Sequence, residues 1–360
     1  MKKYLKRTLS PEKITKLRDI LEKPDRFISR LASSNGFLAS LYYLLISRKF
    51  DREHLSVLKG RLSYWNTNTV DLESHPLLRR NIHRLEKGLI MRPRRNIFAE
   101  KYIGETVECY ERALSLKAFC PNEKKWAKNV LDNYFSVVGK SKVICKVREK
   151  YMSFSKCGFK SCDESGFYLP YLQKDTPSLN MNFEQLETLF LKRRSIRWYQ
   201  NKQVPIELIQ KAVDIAVLAP SACNRQPYRF LVSNDKDMAI ELAGCAGGTG
   251  GFVENIPAII VLTGDLSAYP AERDRHLIYI DSSLAAMQLM LALETLGLSS
   301  CPINWPDVSS SEKKIQNILN LPSYQRIIML LAVGYADPEG GVPFSQKKRG
   351  KLIMREILPK

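Results

Sequence analysis

Four short segments carry the side chains best suited to chemistry. They are Arg193-Arg194-Ser195-Ile196-Arg197, Ala219 to Pro227, Cys301-Pro302-Ile303-Asn304-Trp305 and Lys347-Lys348-Arg349. The first and fourth place cations and a hydroxyl on loops, and charge-assisted hydrogen bonds of this kind bind a phosphate dianion. The second supplies Ser221 and Asn224, which can donate and accept at the polar edge of a heteroaromatic ring. The third offers backbone N–H groups in a turn that Pro302 restrains.

Each segment taken alone has an ordinary explanation. A basic run is usually a solvated patch or tail, and a Pro-Ser segment often only ends a helix. The order of the segments is more specific. An R-x-S-x-[RK] loop, a P-S-x-x-N-x-Q-P segment, a long helix, a P-I-[EN] turn and a basic K-x-R pair follow one another in the second half of the chain. This arrangement resembles the nitroreductase family of FMN-dependent oxidoreductases.

The resemblance implies a binding mode for the FMN phosphate. The residues that it assigns to this group are Arg193, Ser195, Lys347 and Arg349, and Arg194 is a further cofactor-binding residue on the same loop. Arg197 would lie near the N1–C2=O edge of the flavin, where a cation stabilises the negative charge of the reduced ring.

The resemblance also assigns residues to the flavin ring. Those expected from a partner subunit are Pro220, Ser221, Asn224 and Gln226. The backbone N–H of Asn304 would point at flavin N5, and Pro302 and Ile303 would pack on the ring. In the segment Gly247 to Gly251 only Thr249 offers a polar contact to the ring, with a flexible glycine loop as the alternative. Because some of these residues would come from a partner subunit, the resemblance implies a homodimer.

The implied reaction is hydride transfer through flavin N5. NADH or NADPH would reduce the flavin, and a nitroaromatic, quinone-like or other conjugated small molecule would accept the electrons in a ping-pong cycle. No acid–base side chain is obligatory. Two alternatives stay open. The first is another FMN-dependent reaction, such as dehydrogenation or reductive dehalogenation, in a biosynthetic pathway, for example one for a polysaccharide. The second is a flavin-binding regulatory protein without turnover.

Charge is spread unevenly along the chain. Of the net charge of +19, residues 1–180 contribute +17 (36 Lys+Arg, 19 Asp+Glu) and residues 181–360 contribute +2 (20 and 18). The basic half suits an anionic ligand, an acidic polymer or an anionic membrane surface; nucleic acid is not favoured, and solvated helix faces are the ordinary explanation. Arg80, His83 and Arg84 would share one helix face that could bind an anion.

The patterning predicts an α+β protein. A nitroreductase-like mixed sheet flanked by helices is expected over 181–360, a mostly helical basic domain over 1–150 and a connector over 151–180. Strands are predicted over Tyr228 to Ser233, Ala258 to Thr263 and Ile327 to Val333, and helices over Pro11 to Leu21, Phe37 to Ile46, Tyr102 to Leu116, Trp126 to Val138, Phe183 to Lys192, Pro205 to Leu218, Lys236 to Ala243 and Leu277 to Leu296.

Three further expectations concern single features. Phe37 to Ile46 is shorter than the ~20 residues that span a bilayer, and it is expected to be a buried helix, with membrane-surface contact as the lesser alternative. Gly88 is expected to cap a helix C-terminus. The eight cysteines form no C-x-x-C pair, which indicates a reduced, cytoplasmic protein without a metal site.

Overall fold

The computed structural model describes residues 24–66, 73–155 and 168–359. The helix predicted over Pro11 to Leu21 lies outside the described residues, as do Cys157 and Cys162. The chain divides into two compact units, Met1–Leu58 and Lys59–Lys360. The predicted α+β class is confirmed, with helices in the first half and a helix-flanked sheet in the second.

The described part of the first unit is helical. Its elements are a helix over 24–32, helix α1 (Gly36–Tyr42) with a following π-helical turn (Tyr43–Ser47), and the start of helix α2 (Asp51–Trp65). The prediction of a buried helix over Phe37 to Ile46 is wrong. Phe37, Leu44 and Leu45 are 76%, 63% and 65% exposed. Apolar composition leads to burial only where another surface covers the helix, and these side chains stay open in the described chain.

Four helices form the first core of the second unit. They are α3 (Pro76–Leu89), α4 (Ile103–Ser115), α5 (Pro121–Val137) and α6 (Lys142–Ser155). On α3, Leu78, Ile82 and Leu85 recur at helical spacing and are fully buried, as expected of an amphipathic helix. They share one hydrophobic cluster with Tyr134 and Tyr151 of α5 and α6.

Gly88 has a packing role and is not the predicted helix cap. Helix α3 continues to Leu89, and Ile90 occupies the cap position. A Cβ atom on Gly88 would lie 2.4 Å from a ring carbon of Phe98. The glycine is therefore required by the close approach of an aromatic ring, which has no local sequence signature.

The second core surrounds a four-stranded sheet. Its strands are β1 (Tyr228–Ser233), β2 (Ala258–Asp265), β3 (Ser299–Asn304) and β4 (Gln325–Gly334), in the order β1-β2-β4-β3. All three strand pairs are antiparallel, and Ser195 adds a parallel bridge to Ser300. The three predicted strands are confirmed. The turn predicted around Pro302 is instead part of β3, which tolerates proline because β3 is an edge strand of the described sheet.

Helices cover the sheet. They are α7 (Phe183–Lys192), α8 (Ile206–Ala216), α9 (Lys236–Ala243), α10 (Leu277–Thr295) and α11 (Ser309–Leu319), followed by the single turn α12 (Gly350–Ile353). The segment Glu272–Thr295 is long and apolar enough to cross a membrane, but half of it is buried within the protein. It contacts α8 and all four strands, so we interpret it as a core helix.

Candidate cofactor-binding site

The loop that follows α7 is fixed to the edge of the sheet. Ser195 forms a β-bridge with Ser300 of β3, and the N–H of Ile196 donates to the Ser300 carbonyl at 3.1 Å. This pairing sets the direction of the neighbouring side chains. The loop predicted to bind phosphate is therefore held by the strand that the sequence interpretation missed.

A small cleft brings the loop together with the C-terminal segment. It has a volume of about 70 Å³, and its lining residues are Arg193, Arg194, Ser195, Arg197, Val342, Pro343, Ser345 and Lys347. Arg194 donates to the carbonyls of Pro343 and Phe344, which attaches the segment to the loop. Of the two C-terminal cations predicted for this site, Lys347 lines the cleft and Arg349 does not; Arg349 is the N-cap residue of α12.

The cleft is lined by several cations and by no carboxylate. Among the described residues, no carboxylate forms an ion pair with any of them. The buried Nε of Arg193 has no hydrogen-bond partner among the residues that the structure describes. Burial raises the pKa of the nearby Glu294 carboxyl, although Lys192 and Arg193 oppose that shift. An oxyanion would supply a hydrogen-bond acceptor for the Nε of Arg193.

The residues beneath the cleft belong to the core. Burial raises the pKa of the Cys301 thiol, against the opposing effect of Arg197 and Arg193, so we expect Cys301 to stay protonated. Ile303 is buried in a hydrophobic cluster. Its side chain is largely covered by that cluster, and its packing on a flavin ring stays a prediction. Pro302 is half-buried and Asn304 is exposed at the end of β3.

The loop from Ala219 to Pro227 is built around a buried carboxylate. Ser221 donates its hydroxyl to Asp281 Oδ2 at 2.7 Å, and the N–H of Ala222 donates to the same oxygen at 2.9 Å. The Ser221 oxygen also accepts from the N–H of Gln226 at 2.8 Å. Sequence reasoning missed Asp281, whose signal is a charged residue within the apolar helix α10. Ser221 therefore orders this loop.

Arg79 of α3 joins the same loop to the helical core. It donates to the Asn224 carbonyl at 2.8 Å and to Gln226 Oε1 at 2.6 Å, and it pairs with Glu123 Oε2 at 3.0 Å. The Gln226 amide also donates to Val217 at 2.7 Å. The Gln226 side chain therefore has two partners inside the chain, and its contact with a flavin stays a prediction. The sequence analysis did not single out Arg79.

Thr249 also faces inward. It is 3% exposed, and its hydroxyl lies 3.1 Å from the Ala243 carbonyl, to which it donates. The threonine thereby closes the turn after α9. The hydroxyl proton is therefore used inside the chain, and a polar contact between Thr249 and a flavin ring stays a prediction.

The two candidate loops lie at opposite corners of the sheet. Ser195 bridges to Ser300 on β3, at the level of Ala258 on β2. The other loop ends at Tyr228 on β1, which is in register with Gly264, near the other end of β2. At ~3.4 Å per residue and ~4.8 Å per strand, these loops are more than about 20 Å apart within one chain.

Comparison with known proteins locates similarity in the sheet region. The nitroreductase family model matches residues 191–245 and 241–335. An NADH dehydrogenase of Thermus thermophilus is 32% identical over 185 residues, which cover 43% of this chain and 88% of that protein. An iodotyrosine deiodinase of Thermotoga neapolitana is 27% identical over 196 residues, which cover 48% of this chain and 97% of that protein. The helical core formed by α3 to α6 lies outside the family match.

Proposed function

This chain belongs to the nitroreductase family, and we propose that it is an FMN-dependent oxidoreductase that receives electrons from NADH or NADPH. The observation that carries the cofactor assignment is the cleft lined by Arg193, Ser195, Arg197 and Lys347. It combines several cations, and no carboxylate is among its lining residues. A phosphate monoester with two negative charges fits this donor set.

We assign the side chains of the cleft as follows. Arg193, Ser195 and Lys347 would hold the phosphate, with the unpartnered Nε of Arg193 as an available donor. Arg194 fixes the C-terminal segment. Arg197 would favour negative charge at the N1 edge of the ring, and the exposed Asn304 would lie near N5. When bound, FMN supplies a site that accepts and returns a hydride.

We propose that two copies of the chain form the complete site. The separation of more than about 20 Å between the loops supports this, because one phosphate or ring cannot contact both loops of the same chain. Exposed apolar residues on α8 and α10 and between α8 and β1 offer a surface for a second copy, namely Ile215, Leu218, Ile280 and Leu284. The fixed loop around Ser221 and Asn224 would then be presented to the FMN of the partner.

The proposal is tested first by the absorbance spectrum of the purified chain. We expect flavin bands, release of FMN on denaturation, and a dimer by light scattering. Anaerobic NADH or NADPH should bleach the bands, and a conjugated acceptor should restore them in a ping-pong kinetic pattern. A colourless monomer that does not bind added FMN would overturn the proposal, and a coloured protein that neither donor bleaches would indicate a regulatory flavoprotein.

A pair of adjacent lysines provides a matched test of the cleft. Lys347 lines it, whereas Lys348 does not. We expect Arg193→Ala with Lys347→Ala to weaken FMN binding by about 100-fold, because charge-assisted phosphate contacts are lost. Lys348→Ala should leave FMN affinity unchanged. Equal affinities in all three proteins would place the phosphate elsewhere.

A second candidate function is reductive removal of a halide from a conjugated ring. The similarity to the Thermotoga neapolitana iodotyrosine deiodinase, over nearly all of that protein, favours it. In this reaction two electrons and a proton replace a carbon–halogen bond with a carbon–hydrogen bond and release halide. Oxidation of the reduced protein by halophenols, with stoichiometric halide release, and not by nitroaromatics or quinones, would select this candidate.

A further inference from the structure

A second pocket lies in the helical core, outside the family match. It is formed by the C-terminal turns of α3 and the segment that leads to α4, and its volume is about 350 Å³. Its lining residues are Arg84, Lys87, Gly88, Met91, Arg95, Phe98, Ala99 and Tyr102. This volume lies within the range of small-molecule sites. The pocket therefore has room for more than a single inorganic ion.

The charges of this pocket all have one sign. Arg84, Lys87 and Arg95 line it, and no acidic side chain does. Within the described parts of the chain, none of these three cations forms an ion pair. The neighbouring acid Glu86 is engaged elsewhere, by Trp126 Nε1 at 2.8 Å. Like charges held together without a counter-charge favour an anion between them.

Arg84 is oriented by the protein with donors to spare. Its guanidinium carbon lies 3.7 Å from the centre of the Tyr102 ring, and it donates to Asn81 Oδ1 at 3.3 Å. A guanidinium has five N–H donors, and stacking on an aromatic ring leaves its edge available for an oxyanion.

The segment between α3 and α4, which carries Arg95, is held in place by packing and backbone hydrogen bonds that do not involve the Arg95 side chain. Phe98 lies against Gly88, and its carbonyl accepts from the Tyr134 hydroxyl at 2.8 Å. Asn96 approaches Gly139, whose N–H donates to the Asn96 carbonyl at 2.8 Å. A loop fixed in this way lowers the ordering cost of binding.

We propose that this pocket binds a small organic anion through a phosphate or carboxylate group. The anionic group would lie among Arg84, Lys87 and Arg95. The apolar surfaces of Met91, Phe98 and Tyr102 would accommodate the uncharged body of the molecule, such as a sugar ring. The site is distinct from the FMN cleft in residues and elements, and it does not depend on the proposed oxidoreductase activity.

Calorimetric titration of the full-length, FMN-saturated protein tests this proposal. The soluble probes are glucose 6-phosphate, galacturonate and, as the uncharged control, glucose. We expect one or both anions to bind and glucose not to bind. Arg84→Gln combined with Arg95→Ala should weaken anion binding by about tenfold or more. Lys101→Ala, which removes a nearby cation outside the pocket lining, should change nothing.

Further arms separate the possible outcomes. Titration in an Arg193→Ala background removes the FMN cleft as a competing phosphate site, so the result stands even if FMN does not bind. Circular dichroism checks that each variant is folded. Binding that occurs only to vesicles containing phosphatidylglycerol would replace the small-molecule site with a lipid headgroup site and overturn the proposal. Absence of binding by both anions, or equal affinities in the wild type and the double variant, would also overturn it.

Discussion

The two ends of helix α3 use the same kind of side chain in opposite ways. Near its N-terminus, Arg79 is bound by a carboxylate, a carbonyl and an amide oxygen. Near its C-terminus, Arg84 has one hydrogen-bond acceptor within the described part of the chain and lines an open pocket. A cation whose donors are satisfied by the chain contributes to stability. A cation held in place with free donors is available to a ligand.

This difference predicts that Arg79 is the more important of the two for folding. Glu123, its partner, is 4% exposed, and an unpaired buried carboxylate costs about 3 kcal/mol or more. Arg79→Leu should lower the free energy of unfolding by about this amount, because it leaves the Glu123 carboxylate without its cation. The hydrogen bonds that Glu123 accepts from Ser74 and His75 would offset only part of this loss. Urea denaturation measures it.

The matched control is Arg84→Leu, which we expect to change stability by less than about 1 kcal/mol. The double variant Arg79→Leu with Glu123→Leu should recover part of the lost unfolding free energy, since it removes the unpaired carboxylate. Similar destabilisation by the two single substitutions would contradict the distinction between the ends of α3.

Acid should weaken only the N-terminal end of α3. Burial lowers the pKa of His75 from 6.5 to about 4, and Arg112 acts in the same direction. The folded protein therefore keeps His75 neutral, whereas the unfolded chain protonates it below pH 6.5. The stabilisation is complete above that pH and is lost as the pH falls towards 4, by up to about 3 kcal/mol.

His75→Asn separates this effect from other acid titrations. His75 caps α3 by accepting from the Leu78 N–H, and asparagine retains an acceptor but does not titrate. As the pH falls from 6.5 to 4, the wild type should lose more unfolding free energy than the variant does. Parallel pH profiles would show that His75 is not the cause.

A substitution at Gly88 tests whether the anion pocket at the C-terminal end of α3 is preformed. Gly88→Ala would place a methyl group 2.4 Å from the Phe98 ring, and overpacking of this kind costs about 1–3 kcal/mol. We expect lower stability and weaker anion binding, with FMN affinity unchanged. On α4, Gly104→Ala meets only Val147 at 3.8 Å and serves as the control; equal effects of both substitutions would refute the packing role.

Added salt should produce the smallest of these effects. It should weaken anion binding at the C-terminal end of α3 but leave the contribution of Arg79 to stability at the N-terminal end nearly unchanged. Between about 50 and about 200 mM salt, we expect anion binding at Arg84, Lys87 and Arg95 to weaken several-fold, because these groups are accessible to counterions. The stability difference between wild type and Arg79→Leu should remain nearly constant, because that ion pair is buried. Isothermal titration and urea denaturation at both salt concentrations measure the two quantities.

Local patterns predicted much of the fold and part of the site. Strand β1 was predicted with its observed bounds, and the strands β2 and β4 were identified by their apolar runs. The R-x-S-x-R loop and Lys347 do share a cleft. The interpretation was wrong where a distant contact decides: Gly88 packs against Phe98 and does not cap α3, and the segment around Pro302 pairs with β4 as strand β3.

The sequence by itself determined most of the strands and helices, and which loops carry cations and hydroxyl groups, because periodicity and turn chemistry are local properties. Only the tertiary structure decided which polar groups remain available. Ser221 and Thr249 satisfy their hydrogen bonds inside the chain, whereas Arg193 and Arg84 retain free donors. That outcome depends on atoms brought together from distant positions, which no local pattern encodes.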